Sequence, residues 1–248
     1  KGETPQECLA CANKRECSGM AAPPAPPSAS AYDGRTMLTF YMTPGSCSTG
    51  IHILLETLEL PFQVTVLNLP AGDHRRPEYL ARNPKATIPA LQLDDGRTLT
   101  EFGAIAYWLA RRYPRAKLLP DDATEAAEVI ARLDYVVGTI HGQGWTRVFT
   151  PDTYLPPGLD EADARRWTDA VQARGREIVT QAFAVLEAQL STETLERPLN
   201  IADAALFYVT FWADKTGLPL PPHCAAHLAW MRQKPVVQGV LREEGYRA

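Results

Sequence analysis

Apolar residues between positions 37 and 115 follow two different periods. The run 37–41, MLTFY, is short, apolar and aromatic, which is typical of a strand. Leucine and isoleucine recur at helical spacing over 51–58. The β-branched run 63–69 alternates between apolar and polar residues, as a second strand would. A strand, a helix and a second strand form a βαβ unit, so these two strands are predicted to be parallel.

A hairpin and a helix are predicted to follow. TIPALQL at 87–93 is strand-like, DDG at 94–96 is a hairpin turn signal, and RTLT at 97–100 predicts the antiparallel return strand. A helix is expected from about 103 to 113, because apolar residues recur there at helical spacing. The order βαβ-ββα predicts a thioredoxin-like α/β domain over residues 37–115.

The chain after residue 122 carries only helical periodicity. Apolar residues indicate a long amphipathic helix around 129–140, another at 162–190, and shorter helices at 202–215 and 224–233. We therefore predict an all-helical domain over residues 122–246, so that the fold class is α/β plus all-α.

Residues 1–36 differ in composition from everything after them. AAPPAPPSAS at 21–30 predicts an extended linker, and the segment before it carries Cys8, Cys11 and Cys17. Their spacing offers three thiols, whereas a structural zinc site usually needs four ligands, and no fourth Cys or His lies nearby. We predict a cysteine-bearing tail and linker over 1–36, without a bound metal.

Two further motifs favour structural roles. In RPLNIADAALF, Asn200 is predicted to cap a helix while Asp203 reaches back to it. His223 and His227 share a helix face, but at the start of a short amphipathic helix they are interpreted as solvated or capping residues. No metal ligand is predicted among these four residues.

Composition and charge argue against several classes of function. The formal net charge of −4 does not favour a nucleic acid or a membrane surface as partner. No apolar run approaches the roughly 20 residues of a membrane-spanning helix. Three of the five cysteines lie in the first seventeen residues, which is not the framework of a secreted disulfide-rich domain. We expect a cytoplasmic protein without nucleic-acid or membrane partners.

Three segments carry candidate chemistry. In NPKATIPAL a cis Pro89 would turn the N–H and C=O of Ile88 outward to pair with an extended peptide, whereas a trans proline would simply enter a strand. Glu101 stands where a strand ends and a helix begins, so it could hold a ligand's ammonium group or interact with its own helix dipole. Cys47 in TPGSCSTGIH is either a reactive thiol at a helix start or a small residue in a turn.

Three segments of the sequence resemble bacterial glutathione S-transferases, closest to the beta class. These are FYMTPGSCSTGIHILLETLELPF, NPKATIPALQLDDGRTLTEFGAIAYWLA and LDYVVGTIHGQGW, and the resemblance extends over roughly residues 37–245. It implies a homodimeric transferase that uses glutathione as co-substrate and joins its sulfur to a hydrophobic electrophile. The electrophile would lie between the two domains, against residues such as His141, Trp145 and Phe149.

The resemblance also implies which residues bind glutathione. Ile88 and Pro89 would meet the cysteinyl backbone, Glu101 the γ-glutamyl end, and Phe102 would offer a backbone N–H. Asp134 stands where the family has an asparagine. The glycyl carboxylate would meet a basic residue near the second helix, where His74, Arg75 and Arg76 all remain candidates.

The implied catalytic residues surround the glutathione sulfur. Cys47 matches the family's cysteine, Ser46 and Ser48 are neighbouring hydroxyl donors, and His141 matches the histidine that faces the thiol. Gly142 stands where the family usually has a lysine, so one positive charge is missing. The helix start is expected to lower the pKa of Cys47. A Cys47-dependent thiol–disulfide reductase and a non-catalytic glutathione-binding or regulatory protein are the alternative functions.

Overall fold

The first half of the described chain forms a four-stranded mixed sheet. A computed structural model describes residues 37–190 and 195–246, so the predictions for 1–36 lie outside the described residues. The strands are β1 (Leu38–Met42), β2 (Phe62–Val66), β3 (Ala90–Gln92) and β4 (Thr98–Thr100), in the spatial order β2-β1-β3-β4. Strands β1 and β2 are parallel, and the other two pairs are antiparallel, as the sequence predicts.

Helices cover both faces of this sheet. Helices α1 (Ser48–Thr57) and α3 (Phe102–Arg112) pack on one face, where Phe40, Leu91 and Ile105 are fully buried. The other face carries a 3₁₀ turn (Asp73–Arg75) and the one-turn helix α2 (Pro77–Leu80), with Tyr79 packed near Leu67 and Ala90. The sequence does not predict α2, because four residues are too few to show a period. This arrangement is the expected thioredoxin-like architecture.

The second half of the described chain is helical. Its elements are α4 (Ala123–Asp134), a π-helical segment (Tyr135–Trp145), α5 (Thr146–Phe149), α6 (Glu161–Leu190), α7 (Ile201–Thr216), α8 (Pro222–Arg232) and α9 (Pro235–Glu243), with 3₁₀ turns at Pro114–Ala116 and Pro151–Tyr154. Within residues 37–190 and 195–246 no strand follows β4. No helix in that part of the chain has the length and apolar character to cross a membrane. The domain boundaries at 115 and 122 stay predictions.

Two glycines let α6 cross the π-helical segment closely. A Cβ added to Gly175 would lie 2.8 Å from the Gly144 carbonyl oxygen, and one added to Gly144 would lie 2.5 Å from Val179 Cγ2. Real Cβ atoms do not approach so closely, so these positions admit only glycine without a shift of backbone or core. The amphipathic pattern predicts the helix but not the wider π turns within it.

The predicted capping box at the start of α7 is confirmed. The Asn200 side chain accepts from the N–H groups of Ala202 and Asp203, and the Asp203 carboxylate accepts from the Asn200 N–H at 2.7 Å. Arg197 and His227 also bind Asp203. This buried cluster anchors α7, whose residues 201–213 are all buried.

Candidate active site

The turn between β1 and α1 is closed by its own serines. The Thr43 carbonyl accepts from the Ser46 N–H at 3.2 Å, from Ser46 Oγ at 2.6 Å and from Ser48 Oγ at 3.1 Å. Ser48 is fully buried. Both predicted hydroxyl donors therefore bond within the turn in this structure.

Cys47 ends this turn as the N-cap residue of α1. It is 7% exposed, and its Sγ lies 3.6 Å from the Ile88 carbonyl oxygen. Burial raises the pKa of the Cys47 thiol to about 12, although the N–H groups of Cys47 and Ser48 act in the opposite direction. The expectation of a lowered pKa is therefore wrong for this state, because the cost of burying a thiolate exceeds the stabilisation by the helix start.

The Ile88–Pro89 peptide bond is cis, which confirms the first of the two alternatives. The turn before it is fixed by Tyr79 Oη and Asn83 Nδ2, which donate to the Thr87 carbonyl at 2.5 and 2.8 Å. Within the described residues the Ile88 N–H makes no hydrogen bond, and its carbonyl faces the Cys47 thiol. The Ile88 N–H is thus available to an extended peptide, and the carbonyl oxygen, which accepts the Cys47 S–H, keeps a second lone pair for one.

The Glu101 side chain is exposed and does not cap its own helix. It precedes α3 with φ +71° and ψ 128°, and its side chain makes no capping hydrogen bond. Non-glycine residues rarely adopt a positive φ, and those that do cluster at ligand sites. The side chain is 61% exposed and accepts from Lys85 Nζ at 2.7 Å. This geometry favours the ligand interpretation of Glu101 over a helix-dipole role.

Lys85 is a candidate site residue that is not predicted from the sequence. Its Nζ also donates to Thr100 Oγ1 at 2.9 Å, so it bridges the cis-proline turn and the end of β4. The sequence gives no sign that this lysine and glutamate, sixteen positions apart, form an ion pair. The signal available was only its place inside NPKATIPAL, three residues before Ile88.

Phe102 and Asp134 flank the start of α3 in different ways. The Phe102 side chain is buried, with its ring 5.4 Å from the Tyr208 ring, so only its backbone can reach a ligand. A Cβ on Gly103 would lie 3.9 Å from Asp134 Oδ1. The structure therefore brings the exposed Asp134 beside the turn that carries Glu101 and Phe102.

His141 lies within a cluster of aromatic rings. Its Nδ1 is 3.3 Å from Tyr208 Oη, and its ring centroid is 5.1 Å from that of Trp212. Burial lowers the pKa of His141 to about 4, so the imidazole is neutral near neutral pH. Trp145 stacks on Phe149, which is 48% exposed and also contacts Trp212. The cluster thus has an open apolar edge.

Comparison with known proteins assigns the family. Residues 45–112 match the model of the glutathione S-transferase N-terminal domain, and residues 169–232 match that of the C-terminal domain. The chain is 33% identical over 223 residues to glutathione S-transferase GstA of Escherichia coli O157:H7, which covers 85% of this chain and 100% of the relative. The chain belongs to the glutathione S-transferase family.

Solved structures agree with this family. A glutathione transferase homologue from Sulfitobacter, crystallised with bound glutathione, superposes with a TM-score of 0.74 at 27% identity, covering 84% of this chain and 98% of that one. A beta-class glutathione S-transferase from Sphingomonas chungbukensis gives 0.67 at 26% identity, with 84% and 98% coverage. The resemblance stated from the sequence is confirmed.

The three basic residues near α2 in this glutathione S-transferase differ in their partners. Arg76 pairs with Asp73 at 2.9 Å, whereas Arg75 Nε donates to His74 Nε2 at 3.3 Å. Arg75 is exposed, and no carboxylate of the described residues pairs with it. Of the two guanidinium groups, that of Arg75 is therefore the more available to an anionic group.

The two histidines of α8 have different carboxylate partners. His223 bonds Glu187 at 2.6 Å and is a surface residue, as predicted. His227 is fully buried and bonds Asp203 at 3.0 Å, so the expectation of a solvated or capping residue is wrong for it. It extends the capping box of α7 instead, an interaction 24 residues away in sequence.

One other group of potential ligands is present among the described residues. Atoms of His52, Glu56 and Glu243 lie within 4.8 Å of one another. His52 contacts Glu243 at 3.3 Å through Nε2 and Glu244 at 2.9 Å through Nδ1. These contacts explain the group as a junction between α1 and α9, and we assign no metal to it.

Proposed function

We propose that this chain binds glutathione and transfers its sulfur to hydrophobic electrophiles. One observation carries the proposal: the Cys47 thiol faces the Ile88 carbonyl, and Glu101 projects its carboxylate beside the same turn. These are the groups that an extended thiol tripeptide with an amino-acid end requires. The related transferase from Sulfitobacter that was crystallised with bound glutathione supports the same ligand.

The peptide is recognised by polar groups of the cis-proline turn and of the start of α3. The N–H and C=O of Ile88 pair with the cysteinyl residue as one more strand would, and the Phe102 N–H adds a donor. Glu101 takes the α-ammonium group of the γ-glutamyl end. Lys85, which now pairs with Glu101, takes the neighbouring α-carboxylate, so the existing ion pair becomes two ion pairs with a zwitterion. Asp134, beside the Gly103 backbone, adds a second carboxylate near the start of α3.

The sulfur chemistry depends on stabilising a bound thiolate. A free thiol with a pKa of about 8.5 needs about 2.7 kcal/mol of preferential thiolate stabilisation to lower that pKa by two units. The N–H groups of Cys47 and Ser48 at the start of α1 supply part of it. The Cys47 thiol, whose pKa is raised to about 12, stays protonated, and on binding its S–H turns from the Ile88 carbonyl to the glutathione thiolate.

The transfer step itself is a nucleophilic substitution or addition. The glutathione thiolate donates an electron pair to form a C–S bond with the electrophilic carbon. In substitution the leaving group departs with its bonding pair, and in addition the resulting carbanion takes a proton from water. The open edge of the aromatic cluster, with Phe149, Trp212 and the neutral His141, provides an apolar surface for the electrophile.

A second candidate, disulfide reduction through Cys47, is favoured by the position of its sulfur. There a Cys47 thiolate would attack a glutathione-containing disulfide, release one thiolate, and be restored by a second glutathione thiolate that leaves as glutathione disulfide. The raised pKa of the buried thiol counts against this route in the free protein. We therefore place conjugation first.

We also propose that the protein is a homodimer. Val64 and Val66 on the edge strand β2 and Trp167 on α6 are large exposed apolar residues, which supports association through one of these surfaces. Sedimentation at micromolar concentration is expected to give a dimer mass. A monomer mass under these conditions would contradict this part of the proposal.

The function is tested with glutathione and 1-chloro-2,4-dinitrobenzene, followed by the absorbance of the conjugate. We expect saturable activity in the parent, retention of at least about a third of it in Cys47→Ser, and loss of most of it in Glu101→Gln at subsaturating glutathione. Glu177→Gln is the matched control, because it breaks a similarly exposed ion pair with Arg174 on α6. No activity in the parent, or disulfide reduction abolished by Cys47→Ser with conjugation absent, would overturn conjugation as the function.

A further inference from the structure

Gly45, two residues before Cys47, is held from the helical half of the chain. Its N–H donates to Glu244 Oε2 at 2.7 Å, and its carbonyl accepts from Trp212 Nε1 at 2.7 Å. Both backbone polar groups of this one turn residue are thus bound by side chains more than 160 positions later in sequence. The other hydrogen bonds that close the turn are local and run among Thr43, Ser46 and Ser48.

Glu244 makes three hydrogen bonds from a buried position directly after α9. Besides Gly45, its Oε2 accepts from Thr49 Oγ1 at 2.7 Å, and its Oε1 lies 2.9 Å from His52 Nδ1. Residue Glu244 is only 8% exposed. Burying a carboxylate costs free energy unless its oxygens accept hydrogen bonds. At Glu244 both oxygens are bonded, so the surrounding groups suit an acceptor with two oxygens.

Tyr246 packs against the same turn residue, Gly45. A Cβ on Gly45 would lie 1.9 Å from the Tyr246 hydroxyl, so the residue that follows α9 by three positions covers the turn directly. Gly45 has φ +72°, a conformation that glycine adopts without strain. The end of α9 therefore fixes both the hydrogen bonds and the backbone path of the segment leading to Cys47.

We propose that Glu244 is a positioning residue for the thiol site. It sets the Gly45–Cys47 turn so that the Cys47 thiol faces the Ile88 carbonyl, and this role rests on the proposed function of the cis-proline turn as the glutathione sulfur site. Thr43 anchors one end of the turn to the Leu67 carbonyl at 2.6 Å. Glu244 and Trp212 fix the middle, where a shift of about 1 Å can reduce a reaction rate on the order of a hundredfold.

Substitution by glutamine separates this role from simple loss of a buried charge. The amide oxygen of Glu244→Gln can accept from Gly45 and Thr49, and its NH₂ can donate to Nδ1 of a neutral His52. Glu244→Ala removes all three contacts. Glu243→Ala is the matched control, because Glu243 is 60% exposed and contacts His52 Nε2 without contacting the turn.

Two measurements test the proposal in the full chain. Hydrogen exchange is followed by mass spectrometry in a peptide covering residues 43–52 and in one from α7, and kcat and KM for glutathione are measured with 1-chloro-2,4-dinitrobenzene. In Glu244→Ala we expect about tenfold faster exchange at 43–52 with α7 unchanged, and a kcat about tenfold lower with KM for glutathione within about threefold. Glu244→Gln and Glu243→Ala should stay within about threefold of the parent in all of these values.

The proposal is overturned if Glu244→Ala keeps kcat within about twofold of the parent, or if KM rises in proportion to the loss. Equal losses in Glu244→Ala and Glu244→Gln, with faster exchange also in α7, would overturn it in favour of a structural role alone. If Glu244→Ala does not fold, Glu244→Asp keeps the charge but shortens the side chain by one carbon, and a parent-like kcat in that variant overturns the proposal. A parent without glutathione-dependent activity would refute the proposed function, while the exchange measurement would still report whether Glu244 holds the turn.

Discussion

The burial of Cys47 predicts an unreactive thiol in the free protein. The pKa of this thiol is raised from 9.0 to about 12 by burial, against the two N–H groups at the start of α1. Three units correspond to about 4 kcal/mol and to a thiolate fraction about a thousandfold lower than that of an ordinary thiol at pH 8. Cys47 should therefore alkylate more slowly by about this factor, before any further loss from restricted access.

The assay uses a variant in which Cys47 is the remaining cysteine, with Cys8, Cys11 and Cys17 changed to Ser and the buried Cys224 to Ala. Iodoacetamide labelling is followed by mass spectrometry between pH 7 and 10.5, with circular dichroism to verify that the chain stays folded. Restricted access lowers the rate equally at every pH, whereas the pKa sets where the rate levels off. We expect the logarithm of the rate to rise by about one per pH unit without levelling off.

A rate that levels off below pH 9 would refute the reasoning, because it would show that the N–H groups at the helix start outweigh burial.

The stability of the protein offers an independent check that the pKa of Cys47 is raised rather than lowered. Because the folded state holds the Cys47 proton more strongly than the unfolded state, its contribution to stability is present below about pH 9 and is lost as the pH rises toward 12. Cys47→Ala should show a shallower alkaline loss in urea unfolding, and an unchanged slope would count against the raised pKa.

The remaining predictions concern stability. Gly175→Ala should lower the free energy of unfolding by about 1–3 kcal/mol, since its Cβ would lie 2.8 Å from a backbone oxygen, whereas Gly138→Ala, with open space around it, should leave urea stability equal or higher. Equal effects of the two would contradict the close helix crossing. Burial alone would raise the pKa of Asp203, but hydrogen bonds from His227 and Arg197 hold it well below its usual range. This contribution to stability should be lost as the pH falls below about 4, and Asp203→Asn should remove that acid dependence in thermal unfolding; a variant with the parent's pH profile would contradict it.

The main features of the fold were predictable because they depend on local pattern. The half-buried strands and the amphipathic helices each bury one face, so the order of strands and helices follows from the periods of the sequence. The four residues of α2 are too short to show such a period. The π turns at 135–145 were also missed, since the apolar spacing there still fits an ordinary helix.

The candidate site was predictable where a residue acts through its own backbone position. The cis turn at Ile88–Pro89 and the exposed Glu101 lie in motifs that carry the family resemblance, whereas the residues alone left alternatives open for both. The burial of Cys47, the ion pair of Lys85 and the contact of Glu244 with Gly45 depend on partners distant in sequence. A local rule such as the effect of a helix start on a thiol therefore gave the wrong sign, because the covering segments outweigh it.

Glutathione binding to Glu101→Gln tests the central claim most directly. Calorimetric titration of the parent should give a saturable dissociation constant, and loss of the charged hydrogen bond should weaken binding by about 1.5–3 kcal/mol, which is roughly 10- to 150-fold. Glu177→Gln, which breaks a comparably exposed ion pair with Arg174, should stay within about twofold of the parent. A dissociation constant unchanged in Glu101→Gln, or a parent that does not bind glutathione, would contradict the assignment of this edge as the glutathione site.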